Sequence, residues 1–145
     1  MSAVGNGVRG FTLVEMLAVL AVIGLIGGLG FPRMQAALRQ QELRLTVSSV
    51  GGALRLARAE ALRSQGAAQF HLANDGRLYG VATQVLRTAR DTPVPASITL
   101  SAPPGGIRFF GDGSSSGGRV IAASGNRRVQ FDVAAETGLY TVNAG

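Results

Sequence analysis

A long apolar run lies near the start of the chain. From Phe11 to Phe31 there is a single charged side chain, Glu15, and one hydroxyl. As a helix, this run is about 31 Å long, which is roughly the hydrocarbon thickness of a bilayer. It stops at Pro32, a residue that ends or bends a helix. The pattern therefore predicts a transmembrane helix over residues 11–32.

An amphipathic pattern follows. Apolar side chains recur at alternating steps of four and three residues from Leu43 to Ala61, which is the spacing of one helical stripe. Most arginines of this segment lie off the stripe, and Gly66 suits a helix C-terminus. We expect an amphipathic helix over 33–66 whose stripe packs on a sheet, although the paired glycines at 51–52 disfavour an unbroken helix. The stripe comprises Leu43, Val47, Val50, Leu54, Ala57 and Ala61.

Short alternating segments separated by turns occupy residues 67–145. Period-two alternation is typical of half-buried strands, and triplets such as Asn74-Asp75-Gly76 are turn signals. Prolines 93, 95, 103 and 104 mark loops. The chain is therefore predicted to have an α+β fold, with a long N-terminal helix packed on an antiparallel β-rich head. The predicted strands are 69–72, 77–82, 84–88, 97–100, 107–110, 119–123, 127–133 and 139–142.

Composition then narrows the chemistry. The 145 residues include fourteen arginines, no lysine, no cysteine and one histidine, with a formal net charge of +6. A phosphate loop of the Walker type, a thiol nucleophile, a disulfide and a cysteine-based zinc site are thus excluded. His71 and Asp75 lie in one predicted hairpin without a nucleophile-elbow motif, and the acids lack EF-hand spacing. The glycine-rich loop 111–118 precedes a predicted strand rather than a phosphate-binding helix. We expect no enzyme activity, no cofactor and no metal.

A short leader precedes the apolar run, and its only charged side chain is Arg9. A basic residue ahead of an apolar span favours a cytoplasmic N-terminus. A cleaved secretory signal peptide and a plain membrane anchor are alternatives, but Glu15 fits neither. An acid weakens a signal core, and a carboxylate in hydrocarbon is costly unless it has a partner or a function.

Residues 10–15, Gly-Phe-Thr-Leu-Val-Glu, resemble the leader motif of type IV pilins and pseudopilins. The resemblance implies that residues 1–10 are a leader, and that a prepilin peptidase cuts between Gly10 and Phe11 and methylates the new amine of Phe11. It also gives Glu15 a role in filament assembly. The amine of Phe11 on a neighbouring subunit would neutralise a carboxylate that is otherwise unpaired among packed apolar helices.

Two further segments resemble H-type minor pseudopilins and FimT-like minor pilins. They are the helical sequence LARAEALR at 56–63 and the strand, DGSSSGG loop and final hairpin of 107–142. The resemblance implies a pilin-like fold and a minor pseudopilin of type II secretion that supports export of folded proteins across the outer membrane. Its implied partners are major and minor pseudopilins, the prepilin peptidase and the inner-membrane assembly platform. Its implied location is the inner membrane, single-pass with a periplasmic head, and then a periplasmic pseudopilus.

The alternative function is that of a FimT-like minor pilin of a type IV pilus, serving pilus priming or DNA uptake. In that case the arginines in or beside the C-terminal predicted strands are candidate contacts to DNA phosphates. Aromatic residues do not interleave with them, so a solvated basic face is the simpler interpretation. These candidates are Arg108, Arg119, Arg127 and Arg128.

Overall fold

A computed structural model describes the chain from Phe11 onwards, with two gaps. The predicted leader, including Gly10, and the predicted strand 84–88 lie outside the described residues. The chain divides into two compact units, one that ends at Ala37 and one that comprises Leu38–Gly145. The segments not described are residues 1–10, 74 and 84–90, together with the side chains of 29–33 and 36.

The described residues contain one α-helix, α1 (Leu13–Ser64), of 52 residues. Thr12 caps its N-terminus, because the Thr12 hydroxyl accepts a hydrogen bond from the Glu15 N–H at 3.2 Å. The helix continues past Pro32 into the amphipathic segment, as expected for one long N-terminal helix, and Gly51 and Gly52 do not break it. Each glycine costs about 1 kcal/mol in a helix interior, and burial of the apolar stripe that begins at Leu43 offsets this cost at Gly51 and Gly52.

The C-terminus of α1 closes in a Schellman motif. The N–H of Gly66 donates to the Ala61 carbonyl at 3.2 Å, and the N–H of Gln65 donates to the Leu62 carbonyl at 3.4 Å. The residue with left-handed backbone is Gln65, at φ 50°, rather than the glycine that follows it. The helix therefore ends two residues before the predicted bound at Gly66, and its left-handed residue lies one position before the predicted glycine.

Eight strands follow, and in the described residues they form two four-stranded antiparallel sheets. The first sheet has the order β3-β2-β1-β5, and the second has the order β4-β6-β7-β8. Seven of the eight predicted strands are found, whereas the two-residue β3 falls where a proline predicted a loop. The strands are β1 (Ala67–Ala73), β2 (Leu78–Thr83), β3 (Thr92–Pro93), β4 (Thr99–Ser101), β5 (Ile107–Phe110), β6 (Gly118–Ser124), β7 (Arg127–Val133) and β8 (Tyr140–Ala144).

The core of the second unit forms where the α1 stripe meets both sheets. Phe70, Phe109 and Phe131 contribute its largest fully buried side chains, from β1, β5 and β7. The predicted stripe is confirmed: five of its six members are buried and Val47 is partly buried against them. The predicted α+β class, a long helix followed by antiparallel sheets, is therefore confirmed.

Polar contacts hold both flanks of the helix to the sheets. On one flank the Tyr79 hydroxyl donates to Ser49 Oγ at 2.6 Å. On the other, Arg58 Nε donates to the Thr137 carbonyl at 3.1 Å, and Arg55 Nη1 donates to the Tyr140 hydroxyl at 2.5 Å. These contacts tie the final hairpin of the chain to the same helix that supplies the core.

Candidate assembly site

The first unit presents apolar side chains to the surface along α1. Leu13 is 83% exposed, and Leu25 and Ile26 are each 67% exposed. Large apolar patches on a protein surface mark sites that pack on other apolar partners, either lipid or protein. The exposed large apolar side chains described in this unit are Phe11, Leu13, Val14, Met16, Leu17, Val19, Leu20, Val22, Ile23, Leu25, Ile26 and Met34.

Within the part of the chain that the structure describes, no helix has the length and hydropathy expected of a membrane span. The transmembrane segment expected over 11–32 therefore stays a prediction.

Glu15 lies in the first turn of α1, where a negative side chain is favourable to the helix dipole. Glu15 lines a shallow apolar depression together with Ala18, Val19 and Val22. The backbone N–H of Glu15 is taken by Thr12, so the helix N-terminus does not depend on the Glu15 side chain. Sequence analysis overlooked this cap, although the Thr-x-x-Glu spacing of a capping box was visible.

The four candidate arginines are distributed over both sheets. Arg108 lies on β5 in the first sheet, whereas Arg119 on β6 and Arg127 and Arg128 on β7 belong to the second. Arg119 is engaged, because its Nε donates to Asp132 Oδ1 at 2.7 Å. Arg127 and Arg128 are exposed next to the β6–β7 turn. The assignment of these arginines to DNA stays a prediction.

Asp132 is the centre of a polar network on the outer face of the second sheet. Its carboxylate accepts hydrogen bonds from Gln130 at 2.6 Å, Arg119 at 2.7 Å and Asn143 at 3.1 Å. The hydrogen bonds from Gln130 and then Arg119 hold the pKa of Asp132 below its ordinary value of 3.8. The network joins strands β6, β7 and β8, and within it the guanidinium of Arg119 is paired with the carboxylate of Asp132.

The glycine-rich loop between β5 and β6 is a structural connection. The Ser115 N–H donates to the Ala135 carbonyl at 2.7 Å, and Ser115 Oγ donates to the Ala134 carbonyl at 2.9 Å. Ser115 also forms an isolated antiparallel β-bridge with Phe109. Phe109 belongs to the first sheet and Ala134 follows the last residue of β7 in the second. The serine of the loop therefore fastens the two sheets together.

Asp112 fixes the conformation of the same loop. Its carboxylate accepts hydrogen bonds from Ser114 Oγ at 2.6 Å and from the Ser114 N–H at 2.9 Å. These bonds, the side-chain one first, hold the pKa of Asp112 below its ordinary value of 3.8. Asp112, Ser114 and Ser115 of the DGSSS sequence are thus engaged in contacts inside the head.

His71 is paired with Asp91 rather than with Asp75, its neighbour in the β1–β2 hairpin. The distance from His71 Nε2 to Asp91 Oδ1 is 3.1 Å, while Asp75 occupies the turn with left-handed backbone at φ 55°. Within the described residues, no group of three or more histidine, cysteine, aspartate or glutamate side chains is placed to hold a metal ion.

The combination of an N-terminal helix with an exposed apolar segment and an antiparallel head defines a pilin-like protein. Residues 5–31 match the prokaryotic N-terminal methylation motif. Residues 24–137 match the family described as type II transport protein GspH. The chain belongs to this family, and its role is that of a minor pseudopilin.

Individual relatives agree with this assignment. The chain is 28% identical over 135 residues to type II secretion system protein H of Xanthomonas campestris pv. campestris, which covers 90% of this chain and 80% of that protein. Its fold is similar to the type IV minor pilin FimU of Pseudomonas aeruginosa, with a TM-score of 0.59, 15% identity and coverage of 72% and 90% of the two chains. It is also similar to the minor pseudopilin EpsH of Vibrio cholerae, with a TM-score of 0.55, 12% identity and coverage of 72% and 96%.

Proposed function

We propose that this minor pseudopilin is a membrane-anchored subunit of a periplasmic type II secretion pseudopilus and supports export of folded proteins across the outer membrane. The observation that carries the proposal is the family match over residues 24–137, preceded by a methylation motif over 5–31. The apolar surface of α1 supports it, because this surface requires lipid or other apolar helices as partners. The role is structural, in contact with other pseudopilins, and involves no catalysis.

A clean deletion strain with a complemented control tests the proposal. We expect exoproteins to accumulate in the periplasm of the deletion strain and to return to the supernatant on complementation. An unchanged supernatant would contradict the secretion role and favour the type IV pilus, with twitching and DNA uptake as the readouts.

We infer that a prepilin peptidase processes the chain between Gly10 and Phe11 and methylates Phe11, with the N-terminus cytoplasmic and the head periplasmic. The motif match supports this cut site. Gly10→Ala should leave the chain at its unprocessed mass in membranes, whereas the wild-type chain loses its leader. A mature mass for the Gly10→Ala variant, measured by intact-protein mass spectrometry, would rule out the site.

Glu15 is proposed to pair with the Phe11 amine of a neighbouring subunit. The Thr12 cap bonds to the Glu15 backbone, so Glu15→Val removes the carboxylate and keeps the cap. Thr12→Val is the matched control, because it removes the cap and keeps the carboxylate. We expect Glu15→Val to insert into the membrane but to be lost from sheared filaments, and Thr12→Val to be retained. Equal retention of both variants would contradict the pairing.

The exposed Arg127 and Arg128 keep DNA uptake as a second candidate function. If they bind phosphates, the full chain in detergent should retain duplex DNA at low salt and release it steeply as salt rises. Replacing both with glutamine should reduce retention, whereas Arg44→Gln, an exposed arginine on the helix, should not. An absence of retention at low salt would remove this role.

A further inference from the structure

The two sheets formed by the described residues have four edge strands, and three of these are protected. In the first sheet, β3 has only two residues and includes a proline, while β5 is covered by the glycine-rich loop. The Ser116 N–H donates to the Arg108 carbonyl at 2.8 Å, and the Phe110 N–H donates to the Ser114 carbonyl at 3.0 Å. In the second sheet, β4 has three residues, and the turn at Gly76 packs against the carbonyl of its Leu100.

The fourth edge, β8, lacks this protection. Among the described residues β8 pairs with β7 alone. Just beyond it, Gly145 and Arg128 exchange hydrogen bonds of 3.0 and 3.2 Å, which makes them a hydrogen-bonded pair. Such pairs alternate along an antiparallel ladder. Thr141 and Asn143 therefore bond to β7, and the N–H and C=O groups of Tyr140, Val142 and Ala144 point away from it.

The side chains of β8 do not block pairing with another strand. The strand Tyr-Thr-Val-Asn-Ala contains no proline and no charge, whereas proteins commonly protect edges with both. Val142 is 49% exposed, and the preceding Leu139 is 59% exposed. An uncharged five-residue edge with exposed apolar side chains is the kind of surface to which an extended peptide adds a strand.

Arginines stand at both ends of this edge. At its start, Arg55 donates to the Tyr140 hydroxyl at 2.5 Å and its guanidinium lies 5.9 Å from the ring centroid. Just past its end, Gly145 pairs with the exposed Arg128, and Arg127 is adjacent. The acids alongside are Asp132, which is paired with Arg119, and Glu136 in the preceding turn. A second copy of this edge would bring like charges together, whereas an acidic strand is complementary.

We propose that β8 accepts an extended acidic segment of a neighbouring filament subunit as a fifth strand of the second sheet. Backbone hydrogen bonds from Tyr140, Val142 and Ala144 provide the pairing, and the arginines at the two ends select for negative charge. The identity of the partner as a filament subunit rests on the proposed function, but the pairing itself is a property of the purified chain.

The first test uses amide hydrogen exchange on the full chain in detergent. The probes are two synthetic decapeptides, one alternating threonine with glutamate and the other alternating threonine with lysine. We expect the Val142 and Ala144 amides to exchange rapidly in the chain alone and to slow at least about ten-fold with the glutamate peptide only. Slow exchange in the chain alone, no change, or an equal effect of both peptides would overturn the proposal. This readout is independent of whether the chain acts in secretion.

The second test is made in cells. The N–H of Val142 points away from β7, so Val142→Pro removes an edge donor without removing a bond to β7. Val142→Ala is the matched control, since it shortens the side chain and keeps the N–H. We expect the proline variant to fall at least about ten-fold in filament incorporation and the alanine variant to be retained. Equal incorporation of both variants would overturn strand addition, and the hydrogen-exchange test on the unmodified chain decides the matter if the proline variant fails to fold.

Discussion

Gly51 and Gly52 are neighbours in α1, yet the structure predicts opposite effects when each is replaced by alanine. A Cβ at position 52 would meet no heavy atom within 4 Å. A Cβ at position 51 would lie 2.8 Å from the Tyr140 hydroxyl and 3.4 Å from Phe131 Cε1. Both substitutions remove the same helix-interior glycine penalty, so the pair isolates the contact with the final strand.

The magnitudes follow from these distances. Gly52→Ala should stabilise the chain by about 0.5–1 kcal/mol, which is the difference in helix propensity. Gly51→Ala gains the same amount, but its methyl must displace Tyr140, which is held by Arg55 at 2.5 Å and packs edge-on to Phe131 at 5.4 Å. Overpacking of this kind costs about 1–3 kcal/mol. The net effect is a destabilisation of at most about 2.5 kcal/mol.

The measurement is thermal or urea unfolding of both variants and the wild-type chain in one detergent. Gly52→Ala should melt higher than wild type and Gly51→Ala lower, with a spacing between them of roughly 4 °C per kcal/mol. Tyr140→Phe removes the atom nearest to the new methyl, so the double variant with Gly51→Ala should recover at least about 0.5 kcal/mol of coupling energy. A Gly51→Ala variant as stable as Gly52→Ala would refute the described packing.

Three further predictions concern the head and the end of the helix. Ser115→Ala should destabilise the chain by about 1–3 kcal/mol in urea unfolding, since it takes the Ser115 Oγ acceptor from the Gly117 N–H and removes the side-chain donor to the Ala134 carbonyl. Ser114→Ala, which removes one bond to Asp112, should cost less. Gln65→Gly should raise the melting temperature, because the left-handed backbone conformation costs a non-glycine residue about 1 kcal/mol. A melting temperature below that of the wild-type chain would contradict this explanation. The pKa of Asp112 is lowered on folding, so its contribution to stability is present above pH 3.8 and is lost as the pH falls below that value. In melting curves from pH 7 to 3, the melting temperature of Asp112→Asn should therefore fall less at low pH than that of the wild-type chain.

Features that depend on local periodicity were predictable from the sequence. The apolar stripe from Leu43 to Ala61 identified the face of α1 that enters the core, because apolar side chains at helical spacing lie on one face of a helix. Strands β5 and β7 were predicted with their observed bounds, since each alternates buried and exposed positions between clear turn signals. The leader motif was found in the same way, because its residues are contiguous.

Features that depend on distant contacts were not predictable. Gln65, which has left-handed backbone, is approached closely by Gly111, where a Cβ would lie 2.7 Å from the Gln65 carbonyl carbon. His71 lies in β1 and Asp91 directly precedes β3. Their pairing depends on the antiparallel alignment of β1 with β2 and of β2 with β3. The two-residue β3 exists because β2 offers it hydrogen-bonding partners, and its own sequence with Pro93 indicates a loop.

The separation of the core from the apolar segment determines how variants of this protein should be interpreted. Every buried core residue lies between Leu43 and Val133, inside the second unit, whereas the exposed apolar residues from Phe11 to Ile26 lie in the first. Stability measured by unfolding therefore reports on the second unit, and a change at Glu15 should leave it unaltered while it changes assembly. The edge of β8 belongs to the second unit, and Tyr140 is the one side chain of this strand that packs, partly buried, against the described core. A variant there that keeps the melting temperature and loses incorporation therefore identifies a contact between subunits rather than a folding defect.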